Sequence, residues 1–410
     1  MSDVDEAITR AHHGEWARVV AALTRRFGDL DIAEEAAAEA FATAVERWPA
    51  DGVPPNPGAW LTTTANRKAI DRIRRENKRD DKQKEARMMH DDDPPGPPVA
   101  IDDDRLRLIF TCCHPALSTE ARVALTLRLV GGLTVPEIAR AFLVAESAMG
   151  QRITRAKAKI KAARIPYRVP SAEDLPARVS SVLTALFLVF NEGYLATGPG
   201  TDPLRHDLTA EAIRLTRLIR ALLPDDGEVA GLLALMLLTE ARRAARVSDG
   251  GELIALDEQD RGVWDTALIA EGHRLVRERL AAAAAGVAPG RYQILAAINA
   301  VHTSARDMRD TDWSQVLALY DQLVRLDPSP AIALNRAIAV AELDGPEVAL
   351  AAVDRLGDRL AGYHAYHATR ADLLRRLGRG GEAREAYDKA IDLAGNTAET
   401  ASLTRRRDRL

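Results

Sequence analysis

Thr134-Val135-Pro136-Glu137-Ile138-Ala139-Arg140-Ala141-Phe142-Leu143-Val144-Ala145-Glu146-Ser147-Ala148-Met149-Gly150-Gln151-Arg152-Ile153-Thr154-Arg155-Ala156-Lys157 reads as two helices joined by a short turn. Thr134 is placed to cap the first helix, whose opening turn tolerates Pro136 and gains from Glu137. Ile138, Ala139 and Phe142 fall on one face of it. Met149, Ile153 and Ala156 line the inner face of the second, leaving Gln151, Arg152, Arg155 and Lys159 outside. The small Ala139 permits a wide crossing angle. A DNA-reading helix-turn-helix needs this arrangement, one helix braced on the backbone and the next in the major groove. Taken alone, the stretch reads equally as an αα-hairpin with a basic face.

Outward from this hairpin, turn signals divide the chain. Residues 1–79 read as helices broken at Ala50-Asp51-Gly52-Val53-Pro54-Pro55-Asn56-Pro57, too proline-rich to be helical. Residues 80–101 contain Asp91-Asp92-Asp93-Pro94-Pro95-Gly96-Pro97-Pro98, an acidic tether stiffened by proline. Helical periods return at 102–168, and an Ala/Leu/Arg-rich region follows at 169–410. Its amphipathic helices show, for example, Leu208, Ala212, Leu215, Ile219 and Leu222 in steps of four and three. From about residue 313 a repeat is visible. The segment from Trp313 through Tyr320 to Asp327-Pro328 is echoed by Gly381 through Ala383 and Tyr387 to Ala394, and the two tyrosines stand 67 residues apart, about two periods of 34. Residues 349–356 fill the intermediate place. This resembles the tetratricopeptide (TPR) pattern, in which small residues let paired helices stack into a concave surface. No strand-length alternation recurs with hairpin turns, so the fold is expected to be all-α.

Composition narrows the function classes. At 47% hydrophobic and 28% charged residues, the 410-residue chain can bury two or three cores and is not disordered. Cys112 and Cys113 are adjacent and cannot staple distant segments, which suggests a reducing compartment. Val182–Phe190 is among the longest apolar runs, too short for a bilayer, and the acidic start lacks a signal peptide's features. A cytoplasmic protein with no membrane partner is expected. The net charge of −4 hides an asymmetry: residues 1–170 carry 27 basic against 25 acidic side chains, the remainder 29 against 35. Residues 67–87 and 152–168 are local basic stretches. Three successive metal-ligand types at Cys112-Cys113-His114 point in different directions on a helix, so buried thiols are expected rather than a metal site. No phosphate-binding loop, dinucleotide turn, nucleophile elbow or metalloprotease helix occurs; neither a cofactor nor an enzyme is expected. Asn191-Glu192-Gly193-Tyr194 reads as a helix stop with glycine just past its end.

The helix-turn-helix resembles region 4 of extracytoplasmic-function (ECF) sigma factors, promoter-recognition subunits of bacterial RNA polymerase. Asp31-Ile32-Ala33-Glu34-Glu35-Ala36-Ala37-Ala38-Glu39-Ala40-Phe41 resembles their region 2.2, and the segment from Trp60 through Asn66-Arg67-Lys68 to Arg74-Arg75 their regions 2.3 and 2.4. With Thr111–Leu117, Phe187–Tyr194 and the TPR-like tail, the whole chain resembles an ECF subgroup with a large C-terminal extension. The resemblance implies two small helical domains, region 2 at 1–79 and region 4 at 102–168, joined by a flexible linker. It implies core RNA polymerase and promoter DNA as partners. Glu34, Glu35 and Glu39 match polymerase-contacting positions. Asn66 and Arg67 match positions used in opening the −10 element, with Arg72, Arg74 and Arg75 tracking phosphates. Gln151 and Arg155 would read −35 bases, whereas Arg152, Lys157, Lys159 and Lys161 would neutralise phosphates. Trp60 is expected to pack in the core. Ala38 replaces a common Gln, and Gly150-Gln151 stands where Arg-Ser is frequent, so a relative's −35 sequence does not transfer. The alternative, a helix-turn-helix regulator with a TPR sensor domain, has no use for the 31–75 segment. The extension is expected to regulate the sigma part in cis and to offer its TPR-like surface to a protein or peptide.

Overall fold

The computed structural model describes residues 3–80, 104–142, 144–171, 173–195, 204–248, 250–284 and 286–410. These are helical throughout apart from turns and one isolated bridge between Val247 and Leu253. The chain forms two compact units, Met1–Val189 and Phe190–Leu410. The tether expected at 80–101 lies, but for Asp80, outside the described residues.

In the first unit α1 (Asp3–Phe27), α2 (Leu30–Asp51) and α3 (Pro57–Asp80) pack on one another. Asp29 caps α2, its carboxylate accepting the backbone N–H groups of Asp31 and Ile32 at 2.9 and 3.3 Å. Ala33, Ala36, Ala37, Ala40 and Ala44 form a buried small-residue stripe that lets the neighbours approach closely, and Phe41 and Trp48 fill what remains. The helix ends at Gly52, whose φ of +80° suits glycine. The second half holds α4 (Asp104–Cys112), α5 (Thr119–Leu125), a π-helical turn (Thr126–Val130), α6 (Val135–Ala141) and α7 (Glu146–Ala162). α6 starts with a capping box: the Glu137 N–H donates to Thr134 Oγ1 at 3.4 Å, and the Glu137 carboxylate accepts the Thr134 N–H at 2.7 Å. The two halves pack together: α1 lies against α4 and the π turn, and the Tyr167 hydroxyl donates to the carbonyls of Ala21 and Asp104 at 3.0 and 3.1 Å.

α8 (Leu175–Tyr194) crosses the boundary between the units. By length and composition it is long and apolar enough to span a bilayer, beyond what the Val182–Phe190 run suggested; within the protein Val182, Leu183, Leu186, Val189 and Phe190 are buried. It ends at Tyr194, within the expected stop at Asn191–Tyr194, but with Gly193 inside the helix rather than past its end. Gly193 is helical, and a Cβ there would stand 2.7 Å from the Thr209 nitrogen and 2.8 Å from the Arg205 carbonyl oxygen. Close approach of backbone, not helix termination, requires that glycine.

The second unit continues with α9 (His206–Leu222), α10 (Gly227–Glu240), α11 (Thr266–Ala284) and α12 (Arg291–Ser304). α10 is hydrophobic all round, buried from Val229 to Glu240, and wrapped by the other three, as such a helix must be. Then come α13 (Trp313–Leu326), α14 (Pro330–Leu343), α15 (Pro346–Asp354), a short α16 (Gly357–Leu360), α17 (His364–Arg376), α18 (Gly380–Leu393) and α19 (Thr397–Asp408). Helices α13, α15 and α18 open at Trp313, Pro346 and Gly380, steps of 33 and 34 residues. α13 packs on α14, α15 on α17 and α18 on α19, and Ala349, Ala371, Ala383 and Tyr387 are buried in this part of the core. The last helix reaches back to the loop after α10: Arg405 pairs with Glu258 and Glu252 at 3.1 and 3.5 Å, Arg406 with Asp257 at 3.9 Å, and Arg409 with Glu258 at 3.8 Å.

Candidate nucleic-acid and polymerase interface

The outer face of α7 exposes Gln151, Thr154, Arg155 and Lys159, while Met149, Ile153, Ala156 and Ile160 hold the helix to its neighbours. Arg155 folds back along the helix, its Nε donating to the Gln151 carbonyl at 3.2 Å. Arg152 is half-buried, and Lys161 is exposed. On α3, Arg67, Arg74 and Arg75 are exposed and Asn66 is half-buried, accepting from Arg26 at 3.4 Å. Trp60 meets Trp48 edge to face, ring centroids 5.5 Å apart, above the buried Leu61, Ala65 and Ala69. Two basic faces are therefore presented, one on each half of the unit.

The acidic residues of α2 separate. Glu35 and Glu39 are accessible, and α3 neutralises them: Arg72 pairs with Glu35, and Lys68 with Glu39 at 3.8 Å. Such surface pairs are worth about 0–1 kcal/mol, so a partner can take these carboxylates cheaply. Glu34 differs. Its side chain is 9% exposed; Oε1 accepts from Arg128 Nε at 2.5 Å, and Oε2 accepts from Lys157 Nζ. Lys157, also 9% exposed, donates again to Asp31 at 2.8 Å. Arg128 donates further to the Leu133 carbonyl at 2.8 Å and lies over the Trp16 ring, and the Trp16 indole donates to the Arg128 carbonyl at 3.2 Å. At the rim Lys161 reaches Asp29 at 2.9 Å. Burial alone would raise the Asp29 carboxyl, but Lys161 and the capped N–H groups hold it below its ordinary value.

Glu34 was expected on a solvent-facing acidic surface and Lys157 on a DNA-facing basic one. In the structure each is buried against the other. Two desolvated charges of opposite sign neutralise one another across the two halves, which neither helix read separately reveals. Lys157 did carry a signal: it lies four residues after Ile153 and three before Ile160, on the inward phase of α7. Arg128 and Trp16 carried none, since their roles arise only from packing between segments distant in sequence. Cys112 and Cys113 are buried at the end of α4, as expected, with Cys113 Sγ 3.4 Å from Thr126 Oγ1. Burial raises both thiols, Cys113 to about 11.

A capped helix-turn-helix with a basic outer face, packed on a three-helix half with a basic face of its own, is an arrangement suited to binding nucleic acid. Comparison with known families agrees: residues 15–79 match Sigma-70 region 2, residues 107–160 match Sigma-70 region 4, and residues 178–280 match a family of unknown function (DUF6596). An uncharacterized protein of Rhizobium meliloti (strain 1021) is 44% identical over 405 residues, covering 96% of this chain and 93% of that protein. The chain and that relative belong to one family, and with its Sigma-70 regions 2 and 4 this chain is an ECF-type sigma factor carrying a C-terminal extension. It binds core RNA polymerase and directs promoter recognition through its two sigma domains.

Proposed function

We propose that this sigma factor rests closed, its region 4 shutting away part of the surface that region 2 offers to polymerase. The observation that carries this reading is the buried Glu34–Lys157 pair with Arg128 beside it. Removing one member of such a pair costs about 3–5 kcal/mol, so the contact is a latch rather than a chance encounter. In the open state Glu34, Glu35 and Glu39 meet the polymerase. Asn66 and Arg67 act on the −10 element, with Arg72, Arg74 and Arg75 along the freed strand. Gln151 and Arg155 read the −35 element, and Arg152, Lys157 and Lys159 answer phosphates. Region 2 occupies 1–79 and region 4 102–168, with 80–101 as the tether between them. The extension from 169 onward biases the choice between closed and open and takes a protein or peptide on its repeat surface. The factor works in the cytosol, where the polymerase performs the covalent chemistry.

The test places fluorescent labels on cysteines introduced at Arg47 and Ala158, exposed positions on α2 and α7. Energy transfer should be high in the free chain and fall when core polymerase is added. Equal transfer in both states refutes the closed resting form. Run-off transcription with the same preparation checks the sigma activity itself.

A further inference from the structure

Beyond the sigma reading, and independent of it, the second unit holds two buried arginines that form no ion pair with a carboxylate among the described residues. Arg242 and Arg246, just past α10, are 8% and 6% exposed. Among the described residues Arg242 donates only to Asn299 Oδ1, at 3.3 Å, and its buried Nε finds no acceptor. Arg246 donates to the Tyr194 carbonyl and stacks on the Tyr194 ring, 3.2 Å from its centroid. The nearby Glu240 lends Arg246 some field, but its ion pairs, both through Oε1, go to Arg243 at 2.9 Å and His206 at 3.0 Å. A buried charge without a paired partner is costly, so two adjacent guanidiniums beside a single carboxylate need a reason.

Both side chains line a cavity of about 360 Å³, together with Arg406 and Gln259 and the apolar Ile254, Leu256 and Leu403. Glu399, the carboxylate that also lines it, is held by His364 at 3.1 Å. The cavity shares Ala255, Leu256, Ala368, Thr369 and Arg406 with a neighbouring one of about 610 Å³, which gives a ligand's body room to extend. A concave space in which apolar walls meet a few convergent charges is how small-molecule sites are built. We propose that this cavity is a binding site for a small organic anion, a carboxylate or phosphate head on an apolar body, with the head held by Arg242 and Arg246. Guanidinium forks match both heads. The local field agrees: burial alone would raise the Tyr194 phenol, yet Arg246 and Arg242 outweigh it and leave it below its ordinary value.

Titration calorimetry of the full chain with inorganic phosphate, hexanoate and hexyl phosphate tests the site and separates the sources. Saturable binding of hexanoate or hexyl phosphate is expected, weakened at least tenfold in Arg242→Gln and in Arg246→Gln; preference between the two names the head. Bound anion should also move Tyr194 ionisation to higher pH, read by tyrosinate absorbance. If the buried variants fail to fold, Arg406→Gln at the cavity wall should still weaken binding severalfold. The proposal falls if the folded parent binds none of the three probes. It falls equally if binding survives unchanged in every variant that folds, or if only a peptide with a free C-terminus binds.

Discussion

Replacing Lys157 by methionine keeps an unbranched side chain, one atom shorter, and removes its charge. Glu34 then retains Arg128 at 2.5 Å, while Asp31, the second carboxylate of Lys157, is largely exposed and returns to water. The loss is therefore taken at the low end of the range for a broken buried pair, about 3 kcal/mol, on the order of a hundredfold in the closing equilibrium. A binder whose competent form is rare shows an affinity reduced by that rarity. Apparent affinity for core polymerase should accordingly rise, by up to on the order of a hundredfold, in a fluorescence anisotropy titration of the full chain. Lys161→Ala is the internal control: its pair with Asp29 leaves the lysine 67% exposed, and such a contact is worth about 0–1 kcal/mol. Circular dichroism shows whether the variant is folded. A folded Lys157→Met chain that binds polymerase no better than the parent refutes the latch.

Gln151→Ala should change which −35 base is preferred, at about 1–3 kcal/mol for a lost base contact, whereas Lys159→Ala should lower the salt slope of promoter binding by about 1; a promoter-variant panel at several salt concentrations separates them. Gly193→Ala should lower the thermal midpoint, because its Cβ meets the backbone of Thr209 and Arg205, an overpacking of about 1–3 kcal/mol; Gly14→Ala, with nothing within 4 Å, should raise it through better helix propensity. Tyr194 should ionise before Tyr320, which is pushed up to about 12, and before Tyr167, Tyr363, Tyr366 and Tyr387, which are also raised. The tyrosinate absorbance appearing below the ordinary phenol range should be lost in Tyr194→Phe. Because the folded phenol ionises below its unfolded value, the parent should gain stability over that variant as pH climbs through the folded pKa.

The periodic parts of the molecule were readable in advance. Thr134 and Glu137 announce the start of α6, alternating small residues announce the stacked pairs after Trp313, and the proline run after Ala50 marks where α3 begins. Local chemistry decides each of these. What escaped is non-local. The composition of Asn191–Tyr194 suits a helix stop, and α8 does end at Tyr194, but Gly193 sits inside the helix, where the backbone at Arg205–Thr209 crosses it. Glu34 resembles its neighbours Glu35 and Glu39 in sequence, and only the arrival of Arg128 and Lys157 from about a hundred residues away makes it a buried charge. Arg242 and Arg246 look like ordinary helix-end cations until the cavity around them is seen. Helical phase tells which way a side chain leaves its own helix; it does not tell what stands opposite.

In an open stack of repeats each unit touches only its neighbours, and arrays lengthen or shorten over evolution with little penalty. The arginines at 405, 406 and 409 meeting the carboxylates at 252, 257 and 258 remove that freedom. Duplicating or deleting one helical pair would carry α19 about a full repeat away from its acidic counterpart and part the two ends. The number of pairs is thereby gauged by the gap they must bridge, and relatives should vary in loop length far more readily than in repeat count.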